Sequence, residues 1–159
     1  MKSSASRRSY SVLGLLILLT LGIGWLGSRA TLPEIPTWYA SLNKPSFNPP
    51  NYLFGPVWIS LYLLMAISQW LVWESNQSKS IKFFFVLMLV CNALWSPVFF
   101  KYHHIGWALI VLSLYLIMLG AWVRTLYQEN KVSAYLQIPH LFWVSFATIL
   151  NTSIYFLNH

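Results

Sequence analysis

The chain has 159 residues, 57% of them hydrophobic and 18% aromatic, and only 8% are charged, where a soluble domain carries about 25%. That composition excludes a single water-soluble domain and places the chain in a bilayer. The formal net charge of +7 does not indicate nucleic acid, because the basic residues are scattered over short connecting segments and not gathered on a soluble face.

Five uncharged stretches, 9–28, 52–73, 83–100, 105–123 and 132–158, can each cross a hydrocarbon core of about 30 Å, which takes about 20 helical residues. They predict an all-α fold, a single transmembrane domain over 1–159 with five helices at 9–28, 52–74, 81–101, 105–127 and 132–157. Glu34, Glu74 and Glu129 fall between the stretches, as do the Lys and Arg residues. Without a charge at midplane, a pump or ion-coupled transporter is disfavoured. Cys91 is the only cysteine, which leaves no disulfide framework and no cysteine-based metal site.

In chain order, a Ser-rich tail (3–11) leads into the first span, where Gly24 and Ser28 form a small-xxx-small pair. The first loop, of roughly 22 residues, is longer than an idle connector usually runs. Pro45, Pro49 and Pro50 lock φ there and remove donors, so 43–51 is expected to lie as a stiff extended cover. Pro56 is expected in the first turn or so of the second span. On that span Gly55, Trp58, Tyr62 and Ala66 share one side. A turn at 76–78 leads to the third span, where Asn92, Trp95 and Phe99 share a side.

His103 and His104 fall in the next turn and read as solvated, since adjacent positions do not form a helical i, i+4 metal pair. After the turn at 128–131, the fifth span places Leu136, His140, Trp143, Ala147, Leu150 and Asn151 on one mixed face. Trp25, Trp38, Trp73, Trp107 and Trp122 lie near span ends and are explained as interfacial anchors. In lipid, Asn92, His140 and Asn151 must point into the bundle. For the two asparagines this predicts interhelical hydrogen bonds; for His140, hydrogen bonding and ligand contact both stay open. The three aromatic faces either pack as core or wall a cavity suited to a large, flat, apolar ligand.

No Ser/His/Asp set, paired carboxylates, metal-ligand spacing or Gly-rich phosphate loop occurs within the spans, so hydrolase, metalloenzyme and nucleotide-binding readings have no support. Lys2, Arg7, Arg8, Lys79, Lys82, Arg124 and Lys131 stand on one side against Arg29, Lys44 and Lys101 on the other. Seven against three predicts a cytoplasmic N-terminus in a bacterial cell membrane. An outer mitochondrial membrane is the alternative, where the rule need not hold.

The run WYASLNKPSFNPPNYLFGPVWISLYLLM (38–65), then NALWSPVFF (92–100), GWA (106–108) and PHLFWVSFATILN (139–151), resembles in order and spacing the translocator protein family, also called tryptophan-rich sensory proteins or peripheral benzodiazepine receptors. The match covers roughly 38–155. It implies a five-helix membrane protein, commonly a homodimer, that needs no cofactor and binds protoporphyrin IX or haem, and in some members sterols or isoquinoline and benzodiazepine drugs. The implied pocket lies between helices beneath the first loop. Trp58 and Trp143 match the family's two tryptophans implicated in porphyrin photodegradation. Phe54, Gly55, Val57, Trp95, Trp107, Ile110, Leu114, Ala147 and Leu150 match its pocket-lining positions; Trp38, Tyr62, Asn92, His140 and Phe146 complete the candidate set.

His140 stands where many members have Tyr, and an imidazole there is a candidate haem ligand. The terminal sterol-recognition pattern fails, since no basic residue follows Leu150 and Tyr155. Lys44 has no acidic neighbour, Glu34 being the loop's sole carboxylate. Arg7 and Arg8 ahead of an apolar run, with Ser28 and Ala30 behind it, also fit a cleaved leader; Trp25 near that cut and the family's five-span pattern favour retention. The expected function is a tetrapyrrole-binding receptor or carrier in the membrane, with a sensory or regulatory role and no nucleic-acid partner. The alternative is light- and oxygen-dependent degradation of protoporphyrin IX through Trp58 and Trp143, without a conventional catalytic group. A scaffold whose aromatics only pack is the third reading.

Overall fold

The computed structural model describes residues 9–73 and 78–159. Lys2, Arg7, Arg8, Glu74, Asn76 and Gln77, and most of the Ser-rich tail, lie outside the described residues. The helices are α1 (Tyr10–Thr31), α2 (Trp38–Ser41), α3 (Asn51–Leu71), α4 (Ser78–Ser96), α5 (Ile105–Glu129), α6 (Lys131–Tyr135) and α7 (Ile138–Leu157). No strand occurs among the described residues. Among the described residues five segments are long and apolar enough to cross a membrane: Tyr10–Glu34, Asn51–Leu71, Lys79–Lys101, Ile105–Glu129 and Lys131–Leu157.

The first and fifth spans differ from expectation, while the third ends at Lys101 as expected. The first span does not stop at 28: Leu32 N–H still bonds Ser28 O, and a 3-10 turn carries the chain to Glu34. Arg29 lies in the last turn of α1, where the helix dipole favours a cation. The third span ends in a wide turn of π type over Pro97–Lys101, closed by Tyr102 N–H to Pro97 O at 2.9 Å. The fifth span is broken between α6 and α7. Asn130 caps α6, its Oδ1 accepting from Val132 N–H at 3.0 Å and Ser133 N–H at 3.2 Å. Pro139 then sits in the first turn of α7, the place where a missing N–H costs least. Pro56, expected in a first turn, is instead inside α3, because that helix already begins at Asn51.

In the bundle, α1 lies against α3 and α4, α4 against α5, and α5 against α7, while α3 meets the fifth span through α6. Met65, Ala66, Met88, Leu119 and Val144 are completely buried in the core. So is Trp122, which is no interfacial anchor: its ring packs on Phe85 and its Nε1 donates to Gln69 Oε1 at 3.3 Å.

A polar circuit runs through this core. Tyr62 on α3 donates to Asn92 Oδ1 on α4 at 2.8 Å, and Asn92 Nδ2 donates to the Tyr115 oxygen on α5 at 3.2 Å. Tyr115 meets His140 Nε2 on α7 at 2.7 Å, and His140 Nδ1 meets Gln137 Oε1 at 3.0 Å. Gln137 Nε2 returns to Ser68 on α3 at 2.7 Å, and Ser68 donates to Ser133 O at 3.0 Å. α1 stands outside this circuit, joined to it by Thr20, whose hydroxyl donates to Tyr62 O at 3.1 Å.

Gly24 lets α1 approach α3, since a Cβ there would run into the Tyr62 ring, whereas Gly22 faces open space. Gly24→Ala is therefore expected to destabilise the bundle by about 1–3 kcal/mol through overpacking. Gly22→Ala is expected to be neutral or to stabilise by about 0.5–1 kcal/mol. Thermal unfolding of both variants in detergent checks the contrast, and equal melting temperatures would refute the close approach.

Candidate ligand-binding cavity

The converging faces of α3, α4 and α7, with the C-terminal half of α1, border a partly open cavity of about 440 Å³, within the range of small-molecule sites. Gly55, Trp58 and Tyr62 line it from α3; Asn92, Trp95, Ser96, Phe99 and Phe100 from α4 and its final turn; Ala147, Leu150, Asn151 and Ile154 from α7. The indoles are held by specific neighbours. Trp58 stacks on Tyr62 with centroids 5.5 Å apart, and Trp95 stacks on Phe99 at 5.5 Å. Trp95 Nε1 donates to Asn151 Oδ1 at 3.2 Å while Asn151 Nδ2 donates to Ile105 O at 3.1 Å, so the amide fixes the ring.

The first loop closes one end. Tyr39 is buried, lines the cavity and donates to Asn48 Oδ1 at 2.9 Å. Burial raises the Tyr39 phenol above its ordinary range against the smaller lowering effect of Asn48, which keeps it a donor at physiological pH. Lys44 has no carboxylate; its Nζ caps the end of α2, donating to Tyr39 O at 2.7 Å and Leu42 O at 2.8 Å. The loop is hooked to the end of α7: Asn43 N–H donates to Asn158 Oδ1 at 3.0 Å and Asn158 Nδ2 returns to Asn43 O at 2.9 Å. Phe47 packs on Phe146 at 6.2 Å.

The other anchor is His103. It is not a freely solvated loop imidazole, since it stacks on Trp38 at 4.1 Å and 14° and meets Glu34 Oε2 at 3.1 Å. Its φ of 57° puts it in the left-handed region, where a non-glycine residue needs such contacts to stay.

A family model described as TspO/MBR matches residues 16–157. The chain belongs to the TspO/MBR family. It is 39% identical over 145 residues to the tryptophan-rich protein TspO of Archaeoglobus fulgidus, covering 89% of this chain and 94% of that protein. It is 36% identical over 140 residues to the translocator protein of Homo sapiens, covering 85% and 83%. With the tryptophan-rich sensory protein of Cereibacter sphaeroides it shares 35% over 121 residues, covering 76% and 77%. Together with the five apolar helices, membership makes this an integral, multi-pass membrane protein of the translocator and sensory-protein family.

Of the positions that the TspO/MBR resemblance and the helical faces singled out, Phe54, Gly55, Trp58, Tyr62, Asn92, Trp95, Ala147 and Leu150 line the cavity. Others lie elsewhere. Trp107 is 65% exposed, and Ile110 and Leu114 share its outward stripe on α5. Val57 lies off the cavity wall. Trp38 sits in the cover, against Phe99 and His103. Trp143 lies behind Phe54, at 5.6 Å, with Phe146 beside it. His140 is completely buried with both ring nitrogens engaged, so it offers no free nitrogen to haem iron.

The wall that sequence reasoning missed is α1 with its 3-10 extension: Leu21, Gly24, Trp25, Gly27, Ser28, Thr31 and Leu32, then Ile35, with Asn51 opposite. Its signal was the Gly24, Gly27, Ser28 run. Small residues on one face leave room, here for Tyr62, Ser96 and the cavity. Trp25, assigned to the interface alone, is exposed and also lines the cavity.

His103→Gly relieves the backbone while deleting the stack and the Glu34 contact, so any loosening reports the lost contacts. Chymotrypsin is expected to cut at Trp38 or Tyr39 several-fold faster in that variant. Unchanged cleavage would show that the latch does not hold the cover.

Proposed function

We propose that this protein is a membrane receptor or carrier that takes a flat, largely apolar tetrapyrrole, protoporphyrin IX or haem, into the cavity and serves a sensory or regulatory role in porphyrin metabolism. The observation that carries the reading is the presence of Trp58 and Trp95 on the wall of one apolar hollow beneath a pinned cover. Flat rings held rigid by their own neighbours offer stacking and dispersion at little conformational cost. Haem would be held by its ring faces and not through His140, whose nitrogens are used within the protein.

A second reading has one observation in its favour: Trp58, one of the two candidate electron donors, is on the cavity wall. An excited porphyrin would take an electron from that indole, and oxygen would be the terminal oxidant; the protein supplies containment and orientation. Trp143 would reach the ligand only through Phe54.

The test is titration with protoporphyrin IX in detergent in the dark, followed by tryptophan quenching, and then illumination. Saturable binding is expected, weakened about 30-fold in Trp95→Ala, the cost of losing an aromatic anchor of about 2 kcal/mol. Trp107→Ala, on the outward face of α5, is expected to bind like the parent. Non-saturable quenching, or equal loss in both variants, would sink the proposal. Light-driven consumption of the porphyrin that stops in Trp58→Phe would favour the second reading.

A further inference from the structure

The polar circuit beside the cavity has a direction, and one atom sets it. Ser133 O is a backbone carbonyl and can only accept, so Ser68 must spend its hydroxyl hydrogen there. Ser68 then accepts from Gln137 Nε2, which turns Gln137 Oε1 towards His140 Nδ1. An unpaired cation in this core would be costly, so the imidazole is neutral with its hydrogen on Nδ1. Nε2 must accept, and Tyr115 donates to it. The Tyr115 oxygen therefore accepts from Asn92 Nδ2, which leaves Asn92 Oδ1 to take the Tyr62 hydrogen. Each link follows from the one before; no amide can flip without setting two donors or two acceptors face to face.

Tyr62 and Asn92 both line the cavity. With its hydrogen committed to Asn92, the Tyr62 oxygen has only lone pairs left. We infer that the circuit fixes Tyr62 as a hydrogen-bond acceptor towards the cavity, so that the site selects flat ligands offering a neutral N–H or O–H there and disfavours a carbonyl or carboxylate in that position. The inference rests on the cavity being a binding site for flat apolar ligands. For a tetrapyrrole it directs the ionised carboxylates away from Tyr62. Asn92 keeps one amide hydrogen beyond the one given to Tyr115, so the discrimination belongs to the phenol. Ser68, which does not line the cavity, is a positioning residue. It anchors the polarity of an atom on its own helix, which the circuit reaches by way of α7, α5 and α4.

The experiment uses the full chain in detergent and three flat tricycles of similar size: carbazole, which donates an N–H; dibenzofuran, which has no donor; and 9-fluorenone, which presents a carbonyl. Calorimetric titration is expected to give carbazole about a tenfold tighter affinity than 9-fluorenone, the size of effect of one satisfied against one unsatisfied buried hydrogen bond. In Ser68→Ala the anchor is gone and the circuit is free to reverse, so that ratio is expected to fall to about one or invert. The ¹⁵N spectrum of His140, assigned by its loss in His140→Gln, is expected to show Nδ1–H in the parent and Nε2–H in Ser68→Ala. A purely structural role for Ser68 would move neither ratio nor tautomer. A parent His140 protonated on Nε2, or a parent that prefers 9-fluorenone, overturns the inference while leaving the cavity reading intact. Failure of all three tricycles and of protoporphyrin IX to bind overturns the cavity reading, and the selectivity with it. Should Ser68→Ala fail to fold, the parent's tautomer and affinity ratio decide alone.

Discussion

In a bilayer, apolar side chains gain little by leaving lipid for one another, so helices are held by close packing and by polar groups that have nowhere else to bond. The circuit from Tyr62 through Asn92, Tyr115, His140 and Gln137 to Ser68 meets that constraint by starting and ending on α3. It passes through α4, α5 and α7 on the way, tying four of the five spans into one unit. Each bond is modest on its own, yet deleting any member leaves its neighbours unsatisfied where water cannot substitute. This is why the aromatic face of α3 is directed inward.

The cavity lies where that unit ends. α1 is outside the circuit and contributes small residues where it nears the others, so the space between it and α3, α4 and α7 is not filled. The rings on the wall are not free to collapse into the gap. Trp95 is tied to Asn151, which is tied to α5, and Trp58 is stacked against Tyr62. A void kept open by fixed aromatic planes is rigid, and under the proposed function that rigidity would lower the cost of admitting a flat guest.

Much of this was legible in the sequence because the bilayer imposes a length and an apolarity on each span. Helical spacing put Gly55, Trp58 and Tyr62 on one side of α3, Asn92, Trp95 and Phe99 on one side of the third span, and Ala147, Leu150 and Asn151 on one side of α7, but left open whether those sides pack as core or wall a cavity; the family resemblance favoured the cavity. Spacing within one helix does not give the rotation of that helix relative to its neighbours. For α5 this placed Trp107, Ile110 and Leu114 on the outward face, where family matching had set them in the pocket. Trp122 was misjudged because its position near a span end hid a partner, Gln69, on another helix. His140 was recognised as inward-facing, but whether it served a ligand or a neighbour depended on Gln137 and Tyr115, a local and a distant residue whose meeting no pattern announces. The role of His103 was hidden for a related reason: its partners Trp38 and Glu34 are far away in the chain.

The reciprocal amide pair between Asn43 and Asn158 bears on how the chain can be shortened. Because the cover over the cavity is fastened to Asn158, a deletion that reaches that residue removes both hydrogen bonds at once while leaving every residue of the cavity wall in place.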